Sequence, residues 1–246
     1  MKTLVRLEIT RTLRNRKFMF FSVLYPAVLF LVFAGSTPKD KVVDGTHITF
    51  VAYYMVAMAA FGAMTAVLMG NAERIAQERQ KGWVRQLRLT ALPGRGYVTA
   101  KIASAATVSL PSILIVMVIG ALAKDIRMEA WQWVAIAFAT WAGSLVFAAL
   151  GVAIGYVATA EVARPISMLC YFVVAGLGGL WFPVTGWPHW MQEILGYLPG
   201  KPYAGLGQAM VLGDAPRAKD IAVLAVYLVL FAGTAAWMYR KDTRRA

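Results

Sequence analysis

The sequence predicts an all-α polytopic membrane protein with six transmembrane helices. Three observations predict it: 59% of the 246 residues are apolar, six long runs carry no charge, and the basic residues alternate between crowded and sparse connecting segments. At about 1.5 Å of rise per residue, about 20 residues cross a hydrocarbon core of about 30 Å, and every run is long enough. A soluble core helix is usually shorter and shows a polar stripe, whereas a barrel strand alternates over about ten residues. The runs do neither.

The first run, Phe18 to Thr37, follows six basic residues and ends in the small residues Ala34, Gly35 and Ser36, which resembles a secretory leader. Its apolar stretch is longer than the usual leader core, so a retained first helix is expected. The second and third runs are Ile48 to Ala72 and Ile102 to Ala123. Pro26 and Pro111 fall inside spans, where neighbouring helices can satisfy the carbonyls that proline frees. The fourth run, Ala130 to Ala160, exceeds one crossing, and Trp131, Trp133 and Trp141 point to the outer interface. It should tilt or begin among the headgroups. Gly151 and Gly155 form a small-xxx-small pair, with Gly143 two turns earlier, open to close packing within the chain or against a second copy. The fifth run extends from Pro165 to Glu193 with a break near Pro183, and the sixth from Ile221 to Tyr239.

Orientation follows from counting Lys and Arg between the runs. The N-terminal segment, the 73–101 loop, the 161–164 link and the C-terminal tail together hold 18 of the 25, and the three remaining segments hold seven. After subtraction of the acids, the whole net charge of +13 falls on one side and none on the other. Both termini are therefore expected in the cytoplasm, in a multi-pass protein of the cell membrane. The basic residues lie beside spans rather than on a compact face, which argues against a nucleic-acid partner and for membrane lipid. Anionic headgroups would contribute roughly 1 kcal/mol per residue near the surface. No non-spanning segment is long enough for a soluble domain and no repeat is visible, so residues 1–246 read as a single transmembrane domain. The lone Cys170, inside the fifth run, cannot form an intramolecular disulfide.

The loop from Asn71 to Lys101 is the leading functional candidate. On a helical wheel Arg74, Glu78, Lys81, Arg85 and Arg88 form one stripe, with Ala76, Trp83, Val84 and Leu87 opposite. Glu78 is placed to pair with Arg74 and Lys81 along that helix. Gly82 marks a bend or close contact, and the helix should end before Pro93 and Gly94. Such a helix can lie on the anionic leaflet with Trp83 as an anchor, or dock a protein partner. The stretch from Glu78 to Pro93, followed by Lys101, resembles the cytoplasmic loop of ABC-2 type transporter permeases. Glu78, Arg79, Gly82, Leu87, Thr90 and Pro93 match that family's pattern in type and order. Trp83 stands where Thr is usual, and Ala91 and Leu92 intervene between Thr90 and Pro93. The resemblance implies a cytoplasmic coupling helix between spans 2 and 3, with Arg74, Glu78, Arg79, Lys81, Gly82, Trp83, Arg85, Leu87 and Thr90 as the ATPase-coupling residues.

A second resemblance follows the fifth run. Gly178, Gly179, Phe182 and Pro183, then Trp187 and Pro188, then Pro199 and Tyr203 are similar to the family's outer re-entrant or interfacial segment between spans 5 and 6. The prolines rule against one continuous crossing there, and Trp181, Trp187 and Trp190 suit the outer headgroup region. The segment either caps the bundle or closes a transport path.

No GxxxxGK[ST] phosphate loop occurs, so ATP hydrolysis is not expected of this chain. His47 and His189 lack neighbours at ligand spacing, which argues against a metal. The charge-free runs argue against intramembrane catalysis and weaken an ion-coupled mechanism. The resemblance implies the permease subunit of an ATP-driven exporter of hydrophobic or amphipathic cargo (drug, antibiotic, lipid or glycolipid). It implies no cofactor on this chain, ATP and Mg on a separate ABC ATPase subunit, and a second permease copy or paralogue. The rival readings are an ion-coupled carrier and a non-transporting assembly or regulatory protein.

Overall fold

The computed structural model describes residues 10, 14–38, 41–82 and 94–244. Among them the chain is helical, and its one β pairing is an isolated bridge between Val42 and Thr49. The first apolar run forms α1, Tyr25–Gly35, entered through an α-helical turn Arg16–Met19 and a π-helical turn Phe20–Leu24. Next come α2, Phe50–Gln80, α3, Gly94–Lys124, α4, Ala130–Val157, and α5, Ala160–Leu177. Two short helices, α6, His189–Leu195, and α7, Gly200–Leu212, precede α8, Ala218–Arg244.

Among the described residues five helices are long and apolar enough to cross a membrane, where six were expected. The shortfall is the first run, whose apolar helix covers only Phe20–Gly35. At about 1.5 Å per residue that is about 24 Å, less than the hydrocarbon thickness. Its wide π turn sits immediately before Pro26, which has no N–H to close a regular turn. The Ser22 carbonyl, four residues before Pro26, accepts a hydrogen bond from Ser112 Oγ on α3 at 2.6 Å. Gly62 on α2 makes room, because a Cβ there would lie 3.0 Å from the Ser22 oxygen and from Pro26 Cγ. The proline's freed acceptor is thus satisfied by a neighbouring helix, as expected.

The fourth run forms one helix of 28 residues, opened by a reciprocal cap between Glu129 and Gln132. The fifth helix starts at Ala160, earlier than the charge pattern suggested, so Glu161 and Arg164 belong to its first turns. Both are exposed and form no ion pair among the described residues.

α2 is the axis of the fold. Every residue from Val51 to Leu68 is buried, by α1, α3, α4, α5 and α7 packed around it. Small side chains permit that enclosure: Ala57, Ala59, Ala60, Gly62, Ala63 and Ala66 let neighbouring backbones approach, while Met55, Met58, Phe61 and Met64 fill the intervening space. α8 packs on α4 and α7 and carries the exposed apolar residues Val226, Val229 and Leu230, as lipid requires.

Candidate functional site

Two sites lie at opposite ends of α2. At its C-terminal end the helix continues beyond the second apolar run, so Arg74, Glu78 and Arg79 sit on α2 itself rather than on a separate helix. Lys81 caps α2, and Gly82 follows with φ +70°, a left-handed conformation in which glycine ends a helix without strain. Trp83, Arg85, Leu87 and Thr90, with the rest of 83–93, lie outside the described residues.

The members of the charged stripe that lie on α2 are not uniformly exposed. Glu78 is only 7% exposed, because this end of α2 is enclosed by α3 and α4. Glu78 makes a salt bridge to Lys101 on α3, with Lys101 Nζ 2.9 Å from both carboxylate oxygens. The Lys101 side chain is equally enclosed, at 3% exposure. Breaking a buried pair of this kind by removing one partner typically costs about 3–5 kcal/mol. Arg79 turns toward α4: its Nη1 donates to the Gly155 carbonyl at 3.1 Å, and its guanidinium lies 5.4 Å from the Tyr156 ring centroid. Lys81 is exposed.

Gly151 and Gly155 make these contacts possible. A Cβ at Gly151 would come 2.8 Å from the Leu68 carbonyl, and one at Gly155 would come 2.7 Å from Ile75 Cβ. The small-residue pair therefore packs α4 onto α2 within one chain. Farther along, Gly143 packs α4 against the Tyr203 ring of α7.

The second site is the segment between α5 and α8. Gly178 and Gly200 bring their backbones together, since a Cβ on either would lie 2.8 Å from the other's Cα. Gly179 has φ +78° and its carbonyl accepts from Tyr53 Oη, while Tyr54 Oη donates to the Trp181 carbonyl. These two tyrosines tie the segment to the first turn of α2. Phe182, immediately before Pro183, is exposed and meets the Phe33 ring edge-on at 6.4 Å. Trp181, assigned to the headgroup region by its type, is partly buried, its ring centroid 5.8 Å from that of Phe61. Gln192 organises the turn around Trp187 by donating to the Thr185 and Trp187 carbonyls at 2.7 and 2.9 Å. Pro188 and Pro199 stand at the N-caps of α6 and α7. Tyr203 on α7 is buried, and its hydroxyl donates to the Ala60 carbonyl at 3.0 Å. Ala60 lies about 15 Å along α2 from its start, so α7 reaches well into the bundle.

Sequence reasoning noted Lys101 but not its pairing with Glu78, and passed over Tyr53 and Tyr54. Lys101 was visible as a lone charge at the head of an apolar run, but its partner is 23 positions away, beyond any helical periodicity. The tyrosine pair had no signal other than adjacency in an apolar stretch.

The family described as ABC-2 family transporter protein matches residues 35–237. The chain is also similar to "Putative transport permease YvfS" of Bacillus subtilis (strain 168), 31% identical over 235 residues that cover 96% of this chain and 95% of that protein.

Proposed function

The chain belongs to the ABC-2 family of transporter proteins, and from that premise we propose that it is the membrane-spanning subunit of an ATP-driven exporter. Its spans carry it several times through the membrane, and the cargo is hydrophobic or amphipathic: a drug, antibiotic, lipid or glycolipid. The long apolar, charge-free runs of the sequence support that cargo class. The subunit works as a dimer, with a second copy or a paralogue, and with two separate ATPase subunits that bind ATP and Mg. The chain acts as one transmembrane domain in the cell membrane, with both termini in the cytoplasm, where 18 of its 25 basic residues fall.

The observation that carries the reading is the buried Glu78–Lys101 pair. It joins the end of α2 to α3, the two helices that flank residues 83–93, so a push at this junction moves both helices together. Arg79 extends the junction to α4. ATP-driven closure of the partner subunits then biases the bundle between two states through its differential contacts with them.

Purification of the native complex tests the partner: a phosphate-loop ATPase should accompany the chain, and a complex containing none would sink the proposal. Coupling is tested by Glu78→Ala and Gly82→Pro. Both should reduce ATP-dependent export at least about tenfold while the ATPase remains bound, the first through loss of the buried pair and the second because proline cannot adopt φ +70°. Export at the parental rate in both variants would rule out this coupling route.

A further inference from the structure

At the opposite end of the bundle from the Glu78–Lys101 pair, α6, α7 and α8 line an open cavity of about 250 Å³. Gln192 and Glu193 of α6 form one wall, and Lys201 enters from the first turn of α7. Arg217, Lys219 and Asp220, at the head of α8, form the opposite wall. Three cations and two carboxylates face one small space, an excess of one positive charge.

The protein itself satisfies only part of this set. Lys201 Nζ donates to the Gln192 carbonyl at 2.9 Å, and Lys219 Nζ sits 3.8 Å over the Tyr197 ring. Glu193 has His189 at the rim, with Nδ1 3.4 Å from its carboxylate. The Arg217 guanidinium and the Asp220 carboxylate make no hydrogen bond or ion pair with any described residue. Gly205 leaves room for the Asp220 carboxylate, because a Cβ there would come 3.1 Å from Asp220 Oδ2. Burial first, and then the nearby Arg217 charge, hold the Lys201 ammonium below its ordinary pKa, so the site stands to gain from a bound anion.

The surroundings place the cavity at the membrane interface. Trp190 and Tyr197 are exposed beside it, as amphipathic aromatics are at headgroup level. Ile194 and Ile221, adjacent in sequence to the lining residues, are exposed apolar side chains against which acyl chains can lie.

We propose that this cavity binds the phosphodiester headgroup of a membrane lipid whose polar end carries a hydrogen-bond donor, such as the ammonium of phosphatidylethanolamine or the hydroxyls of phosphatidylglycerol. Arg217, Lys201 and Lys219 take the phosphate oxygens, for which the guanidinium offers a bidentate fork. Asp220 and Glu193 accept from the donor end. A phosphocholine headgroup carries the same phosphate with no N–H or O–H at its end, so it leaves both carboxylates without a donor. The inference needs only that the chain sits in a membrane, and it stands whether or not the export reading does.

Native mass spectrometry of the detergent-purified full chain tests it, with dioleoyl phosphatidylethanolamine, phosphatidylglycerol or phosphatidylcholine added one at a time. The first two should be retained at least about fivefold better than the third, and Arg217→Gln should lower their retention about tenfold, the scale of a lost charge-assisted hydrogen bond. Lys219→Gln, at an exposed position, supplies a second variant with the same expected direction. Equal retention of all three lipids, or retention unchanged in both variants, would overturn the proposal. Soluble glycerophosphoethanolamine that displaced the lipid at equal concentration would assign the site to a soluble phosphodiester and overturn the lipid as its source.

Discussion

Gly155 and Gly176 are chemically identical residues in opposite surroundings. A methyl group at Gly155 would press on Ile75 and on the Ala72 carbonyl, whereas one at Gly176 would meet nothing within 4 Å. Gly155→Ala should therefore destabilise the fold by about 1–3 kcal/mol through overpacking. Gly176→Ala should be neutral or stabilise by up to about 1 kcal/mol, because alanine is the better helix former. Thermal unfolding in detergent distinguishes them; equal shifts in both variants would remove the steric account of the α2–α4 contact. The spacing of Gly151 and Gly155 was legible in the sequence as a packing motif, since small residues one turn apart expose helix backbone. Which helix they receive was not, because any helix surface can fill such a groove. Glu78 shows the complementary case. Its charge and its place on a wheel put it on a polar stripe, but burial at that position depends on α3 and α4 closing over it.

At the scale of single elements, the sequence identified every long helix but misjudged several ends. The charge pattern marks where a run stops being apolar, whereas a helix ends where its hydrogen bonding ends. For α2 that point is Gln80, well beyond Ala72, and for α5 the start is Ala160 rather than Pro165. Run length likewise overstated α1, whose geometry is interrupted around Pro26. The Ser22 carbonyl depends there on the Ser112 hydroxyl. Ser112→Ala should leave that buried acceptor unmet at a cost of about 1–3 kcal/mol. The loss should be local, with faster amide exchange in α1 and unchanged exchange in α4. Uniform acceleration across the bundle would show that Ser112 supports the whole core rather than this one junction. The segment between α5 and α8 was the most legible of the irregular regions, because its prolines exclude a straight crossing. Its attachment to α2 through Tyr53 and Tyr54 depends on three-dimensional proximity over more than a hundred residues.

For the whole molecule, the positive-inside count and the bundle make a joint prediction about sidedness. Reporter fusions should give an outside signal at Lys41 and inside signals at Gly94 and the C-terminus. An outside signal at Gly94 would invert the arrangement. The test is most demanding for the first helix, whose 16 apolar residues need the Arg16–Met19 turn and snorkelling basic side chains to complete a crossing. At this scale α2 has a mechanical consequence. It runs without interruption from Tyr53, bonded to the Gly179 carbonyl, to Glu78, bonded to Lys101, a distance of about 37 Å. A continuous hydrogen-bonded helix gripped at both ends behaves as a lever rather than as a chain of relays. Tilting it about its packed middle displaces the two ends in opposite senses at the same moment, so one face of the molecule can register what happens at the other with no intermediate switch.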